Sequence, residues 1–345
     1  GGDIYPRFDL DAKLALEGEE PGTASPTLAG KAKVLFGPPA QVAAAGIPIP
    51  IAIETDFKAG AGQVVLDPVS LEAGEGGASL RMTGQGSVQL NDPRISLKLE
   101  GRRLDADSFI LSSNGQDFKS RLAAWSIPHI SVPLDLDLKI DSIGLAQEEL
   151  SNAVMRLSVD RGRATVERID FQAPGDTRVA MEGTVGLTIE GGANGKVALA
   201  SNQSDRFARY LNRLGLRSPF LKALDGRPLE MSSDVAYSSP VLSFNRMRVK
   251  TGDAVLTGNL RYTAPEADGR GKLEAQVAIQ NLNLDQLPRV SSVFEATQNL
   301  DVGFILEARN VRAGNSPEAG RITARILSDG PALLVESLEI VDLAG

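Results

Sequence analysis

QVVLDPVSLEAGEGGASLRMTGQGSVQL, residues 63–90, decides how the rest of the chain is read. It divides at GEGG (Gly74–Gly77), a turn signal, into two extended segments. In the second, Leu80, Met82, Val88 and Leu90 fall on one side, while Arg81, Thr83, Gln85, Ser87 and Gln89 fall on the other. A period of two is that of a strand with one apolar and one solvated face. The first segment carries a six-residue signature, LDPVSL (Leu66–Leu71), apolar at its first, fourth and sixth places. This break in strict alternation predicts a β-bulge that re-aims the strand.

The pattern returns along the chain. VERIDF (Val166–Phe171) precedes RVAMEGTVGLTI (Arg178–Ile189), which sets Val179, Met181, Val185 and Leu187 on one face. FNRMRV (Phe244–Val249) precedes DAVLTGNLRYTA (Asp253–Ala264), with Leu256 and Leu260. VESLEI (Val335–Ile340) begins a fourth copy. Gly84, Gly183 and Gly258 take the same place in the second strand, on the apolar face, where they are expected to leave gaps in the side-chain layer. Such self-similarity is the mark of a repeat architecture, here with uneven spacing.

Outward from these copies, strands are expected over 4–16, 28–36, 47–54, 94–100 (with Leu97), 132–140 (with Leu134, Leu136 and Leu138), 153–160, 163–171, 195–200, 229–237, 240–250, 272–280 (with Val277), 300–309, 321–327 and 332–341. Pro48 and Pro50 cannot donate to a ladder, so the 47–54 strand is expected at an edge or a bulge. Short helices are expected around 116–124 (Phe118, Leu122, Trp125), over Ser204–Leu216 and over Leu284–Phe294. In the second, Ser204 is the expected N-cap and Gly215 the terminator. The resulting division is 1–47 (end of a preceding unit), 48–130, 131–228 and 229–298 (three β units with junction helices) and 299–345 (start of a fourth). The fold class expected is mainly β: a repeat-built, elongated, curved antiparallel sheet forming a groove.

Composition narrows function. The 345 residues carry 36 Lys and Arg against 44 Asp and Glu, a net charge of −8, which disfavours nucleic acid as a partner. There is no cysteine, hence no disulfide or thiolate chemistry. The single histidine, His129, is too few for a three-histidine zinc site and has no GxSxG nucleophile motif beside it, so it reads as a loop histidine. Asp135, Asp137 and Asp141 share one strand face; such carboxylates can serve glycoside hydrolysis or calcium, but they read more plainly as a solvated face. No catalytic residue, metal site or cofactor is assigned. The Ser204–Leu216 helix carries Arg206, Arg209 and Arg213, either a membrane-surface face or solvated arginines on a sheet cap. No stretch reaches the roughly 18 apolar residues of a membrane span. The chain opens with Gly-Gly and is read as a piece of a longer protein.

What remains informative is the sum of the strands: nearly every one has an aliphatic face that something must cover. A second sheet would make a closed sandwich; an open trough would take a ligand instead. Periodicity leaves both possible.

The LDPVSL, VERIDF and FNRMRV signatures, each before a strand with Thr83-Gly84, Glu182-Gly183 or Thr257-Gly258, resemble the AsmA-like family of Gram-negative bacteria. So do GRRLDADSF (Gly101–Phe109), AIQNLNLDQLP (Ala278–Pro288) and VPLDLDLKIDSIGL (Val132–Leu145). The resemblance runs from about Pro48 onward; residues 1–47 fit it poorly. It implies a periplasmic body anchored to the inner membrane by a segment not in this chain. It also implies an apolar β-groove that carries phospholipid, or another acyl-chain lipid, between inner and outer membranes, without enzymatic activity. The groove lining would then be the fifteen aliphatic residues Leu80, Met82, Val88, Leu90, Leu97, Leu134, Leu136, Leu138, Val179, Met181, Val185, Leu187, Leu256, Leu260 and Val277. The alternative is a module for outer-membrane protein assembly or scaffolding that carries no lipid; a carbohydrate-active sandwich is a third.

Overall fold

The computed structural model describes residues 7–17, 25–36, 51–60, 62–74, 80–107, 132–187, 191–216, 221, 226–265, 269–287, 300–312, 319–329 and 332–342. The protein is mainly β and divides into two compact units, Gly1–Phe171 and Gln172–Gly345.

In the first unit the strands are β1 (Arg7–Glu17), β2 (Ser25–Phe36), β3 (Ile51–Gly60), β4 (Gln63–Ala73), β5 (Leu80–Gln89), β6 (Arg94–Asp105), β7 (Leu134–Leu145) and β8 (Glu148–Asp160), with β9 (Arg163–Ala173) next in the chain. Each of β1 to β7 pairs with its successor. All these pairs are antiparallel except β6–β7, which is parallel, with Ile95 beside Leu134 and Leu99 beside Leu138. The second unit holds β10 (Thr177–Gly186), β11 (Ala193–Ser201), helix α1 (Ser204–Arg213), β12 (Leu229–Ser238), β13 (Val241–Thr251), β14 (Ala254–Thr263), β15 (Gly271–Gln280), β16 (Leu300–Val311), β17 (Ala319–Asp329) and β18 (Ala332–Asp342). Its strands also pair in sequence order, with β15–β16 parallel and the others antiparallel. Antiparallel pairing, as expected, predominates, and these two places are the exceptions. Alternation along a strand tells which face is apolar; it says nothing of the direction of the neighbour. A parallel neighbour needs a crossover of a dozen or more residues, and both fall at the junction segments, after Asp105 and after Gln280.

The bulge expected from the signature is present in three copies. Across β4–β5 the register runs Leu66↔Gly86, then Val69↔Gly84, so Asp67 and Pro68 oppose Gln85 alone. Across β13–β14 it runs Phe244↔Leu260, then Met247↔Gly258. Across β17–β18, Ile326↔Val335 is followed by Arg325↔Ser337, leaving Glu336 as the extra residue. The bulge keeps places one, four and six of the signature on the same face, which strict alternation would not.

The glycines do something other than leave gaps. A Cβ on Gly84 would lie 1.9 Å from the Lys98 carbonyl oxygen, and one on Gly258 would lie 2.2 Å from that of Gln276. Beside the bulge the next strand approaches too closely for any side chain, so these positions are filled by backbone.

Other expectations shift in detail. Of the edge or bulge expected for β3, the edge is corrected, since β3 pairs with both β2 and β4, while a register shift against β4 does fall between Thr55 and Phe57. The strand starts at Ile51; Pro48 and Pro50 lie outside the described residues. Helix α1 has Gln203 as its N-cap, with Ser204 already in the first turn. Its end follows the expectation: Gly215, at φ +84, donates to the Asn212 carbonyl while Leu216 donates to that of Leu211, the double bond of a Schellman stop. The third helix is represented by a 3-10 turn at Leu284–Gln286. The 116–124 helix, Phe118, Trp125, His129 and most of GEGG lie outside the described residues.

Candidate functional site

Paired residues in adjacent strands put their side chains on the same face, so the registers trace each face across a unit. In the first unit one face runs Val34, Ile53, Leu71, Met82 from β2 to β5, then reaches Gly101 of β6 and Ile140 of β7. A second row runs Val64, Val88, Ile95, Leu134 and Val159 from β4 to β8. Leu97, Leu136 and Leu157 lie side by side between these rows, as do Leu99, Leu138 and Met155. In the second unit, Val179↔Leu199, Met181↔Val197 and Val185↔Ala193 open a corresponding face on β10 and β11. It continues through Met231, Val249, Leu256, Ile279 and Ala308 from β12 to β16, and through Phe244, Leu260, Ala275 and Phe304 from β13 to β16. Each unit thus has one continuous apolar face.

The expected lining residues do not stand alike on these faces. Met82 (3%), Val179 (8%) and Val277 (7%) are buried. Met82 belongs to a cluster with Val69 and Leu99, over which Leu66, Leu80, Leu97 and Leu138 close. Leu80, Val88, Leu97, Leu134, Leu136, Leu138, Leu187, Leu256 and Leu260 are half-buried, whereas Met181, Val185 and Leu90 are exposed. Leu90 lies in the turn after β5, where its N–H donates to the Gly62 carbonyl at 2.9 Å, and Leu187 lies just past β10. Val69, Leu71, Leu99, Ile140 and Leu157 share the first unit's face and were missed. Val69 and Leu71 sit in the signature itself and could have been found by carrying its places four and six onto the face.

The opposite face is ionic. Cross-strand pairs Lys31–Asp56, Arg81–Glu72, Arg94–Asp135, Lys139–Glu100 and Arg156–Asp137 lie at 3.1–3.3 Å. Lys33 donates to Glu54, and that contact raises the lysine's pKa. Likewise Asp135, through its hydrogen bond and charge, raises the pKa of Arg94. Asp135 and Asp137, candidate acids in the sequence, are therefore each tied to an arginine on a neighbouring strand. Among the described residues no group of three or more His, Asp or Glu side chains could hold a metal. Two shallow depressions lie on this polar side. One is walled by Arg178, Glu230, Arg248 and Lys250, the other by Gln85, Lys98, Asp135, Asp137 and Arg156.

Helix α1 packs Phe207, Ala208 and Tyr210 inward and turns Arg206, Arg209 and Arg213 outward. Arg209 donates to Asp205 at 2.7 Å, and that bond holds the Asp205 carboxyl below its ordinary pKa. Beneath the helix, Thr177 donates to Pro174 O and sits 2.7 Å from the Ser201 hydroxyl, which itself donates to Gly175 O; both side chains are buried. Among the described residues no helix is long and apolar enough to cross a membrane.

A ladder of ion pairs on one face and an aliphatic layer on the other make a surface that can adsorb apolar matter. Comparison of the chain with protein-family models, with curated proteins and with solved structures finds no match.

Proposed function

We propose that this chain is a non-enzymatic lipid-binding segment of an AsmA-like periplasmic protein. It is built of β repeats whose apolar faces form a groove carrying phospholipid, or another acyl-chain lipid, between inner and outer membranes. The observation that carries the reading is the continuous apolar face of each unit, half-buried at Leu134, Leu136, Leu138, Leu256 and Leu260 in the middle of paired strands. Inward residues of a closed sandwich would be packed to the density of an organic crystal. Half-exposed aliphatics in central strands leave apolar area in water, and each methylene covered by an acyl chain contributes about 0.8 kcal/mol. The bulged signature recurring in β4, β13 and β18 supports the repeat reading. Solvent extraction of the purified chain followed by mass spectrometry is the test. Stoichiometric phospholipid is the expected result. A chain that emerges free of lipid, and takes none from vesicles of phosphatidylethanolamine and phosphatidylglycerol, sinks the proposal in favour of a scaffold that carries no lipid.

A further inference from the structure

On the polar face of the second unit there is a hollow where ion pairing stops. Two rows of side chains cross β10 to β13 there. One runs Arg178, Ala200, Glu230 and Lys250; the next runs Ala180, Ala198, Ser232 and Arg248. The alanines and the serine keep the floor low, and Arg178, Glu230, Arg248 and Lys250 wall a space of about 370 Å³, at the small end of ligand clefts. The following row is closed on itself: Lys196 donates to Glu182 at 3.1 Å, and Arg246 holds Asp234. Lys250 faces Glu230 across the ladder just as Lys196 faces Glu182. Yet among the described residues Lys250, Arg248 and Glu230 take no hydrogen bond and no ion pair. The surrounding sequence is basic as well. Residues 201–250 carry nine Lys and Arg against four Asp and Glu, a net +5 in a chain whose total is −8.

Arg248 and Lys250 stand two places apart on β13, so their side chains rise side by side, about 7 Å apart at the backbone. One tetrahedral anion spans that gap with a charge-assisted bond to each. We propose that this hollow binds a phosphate group. Lys250 supplies a point charge and Arg248 a planar fork, while Arg178 closes the site from β10 and the Ser232 hydroxyl donates from the floor. Cations converging from two strands on opposite sides suit the tetrahedral oxygens of phosphate better than the planar pair of a carboxylate. Glu230 works against the anion from the rim, so its removal must strengthen binding. The hollow lies on the face opposite the aliphatic layer, and the site stands independently of lipid carriage there. A soluble phosphate ester and a lipid headgroup present the same chemistry to it.

The test is equilibrium dialysis of the 345-residue chain against radiolabelled inorganic phosphate at constant ionic strength, with flotation on phosphatidylcholine vesicles with and without phosphatidic acid. Saturable phosphate binding is expected. Replacing Arg248 and Lys250 together by Ala should weaken it about tenfold or more, and Glu230→Gln should tighten it. Arg81→Ala, which removes a cation paired with Glu72 in the first unit, should leave it unchanged. Because Arg248 and Lys250 are exposed and unpaired among the described residues, their loss should leave the circular dichroism melt in place. Flotation that requires phosphatidic acid and is lost in the double variant assigns the site to a lipid headgroup; phosphate binding without such flotation assigns it to a soluble ester. Absence of saturable phosphate binding, binding unchanged in the double variant, binding weakened by Glu230→Gln, or displacement of phosphate by an equal concentration of acetate overturns the proposal.

Discussion

Replacing Leu136 by Asp separates an open apolar face from a covered one. Leu136 is half-buried on β7, between Leu97 of β6 and Leu157 of β8. Full burial of a leucine is worth about 1.5–3 kcal/mol, so losing a half-buried one costs roughly 1 kcal/mol. The new carboxylate can reach water on an open face and adds little to that. Leu99, on the neighbouring strand β6 beside Leu138 and 1% exposed, is the internal control. An aspartate there is desolvated without a partner, at a cost of several kcal/mol, comparable with the roughly 5–15 kcal/mol of a whole domain. Circular dichroism melts should therefore show Leu136→Asp folded with a slightly lower midpoint, and Leu99→Asp unfolded or nearly so. Lipid recovered by mass spectrometry should fall in Leu136→Asp, because the charge repels an acyl chain. If Leu136→Asp unfolds as completely as Leu99→Asp, a second layer covers the face and the reasoning fails. If it folds and retains its full lipid load, Leu136 is not on the path.

Gly258→Ala places a Cβ 2.2 Å from the Gln276 carbonyl oxygen and should cost roughly 1–3 kcal/mol in urea melts, as overpacking does, whereas Gly60→Ala, with nothing within 4 Å of its new Cβ, should be near neutral. Asp107 accepts the Ala146 and Gln147 N–H groups at 2.6 and 2.9 Å, where both residues have positive φ. Asp107→Ala should lower stability by about 1–3 kcal/mol and speed hydrogen exchange at that turn. The Asp205 carboxyl is held below its ordinary pKa by Arg209. Its contribution is therefore present above the unfolded-state pKa and disappears as pH falls through the folded value. Melts from neutral pH down to about pH 3 should show a small loss at α1, small because the pair is exposed. In Arg209→Ala that part of the pH dependence should vanish.

The faces were legible because they follow from period two. Leu80, Met82 and Val88, or Leu134, Leu136 and Leu138, need no knowledge of neighbours to be placed together. The bulge was legible for the same reason, since a signature apolar at one, four and six conflicts with alternation in a fixed place. Strand direction at β6–β7 and β15–β16 was not, because a parallel and an antiparallel neighbour present the same side-chain sequence. Nor was the burial of Met82 against the exposure of Met181, two methionines at corresponding places before Gly84 and Gly183. Their difference lies in what packs over them: Met82 has Val69 and Leu99 for company, and Met181 has Val197 beside it in the ladder. The glycines were misread because a missing side chain looks like a vacancy until the carbonyl of the next strand is placed against it.

The parallel step between β15 and β16 sets the polarity of the strands from β16 to β18. From β13 to β18 there are five strand-to-strand steps, and reversal at each would leave β18 running opposite to β13. The single parallel step removes one reversal, so the two signature strands point the same way and present places one, four and six in the same sense. Within this unit, five steps along the ladder thus bring back a signature strand of the same chain direction with the same face apolar.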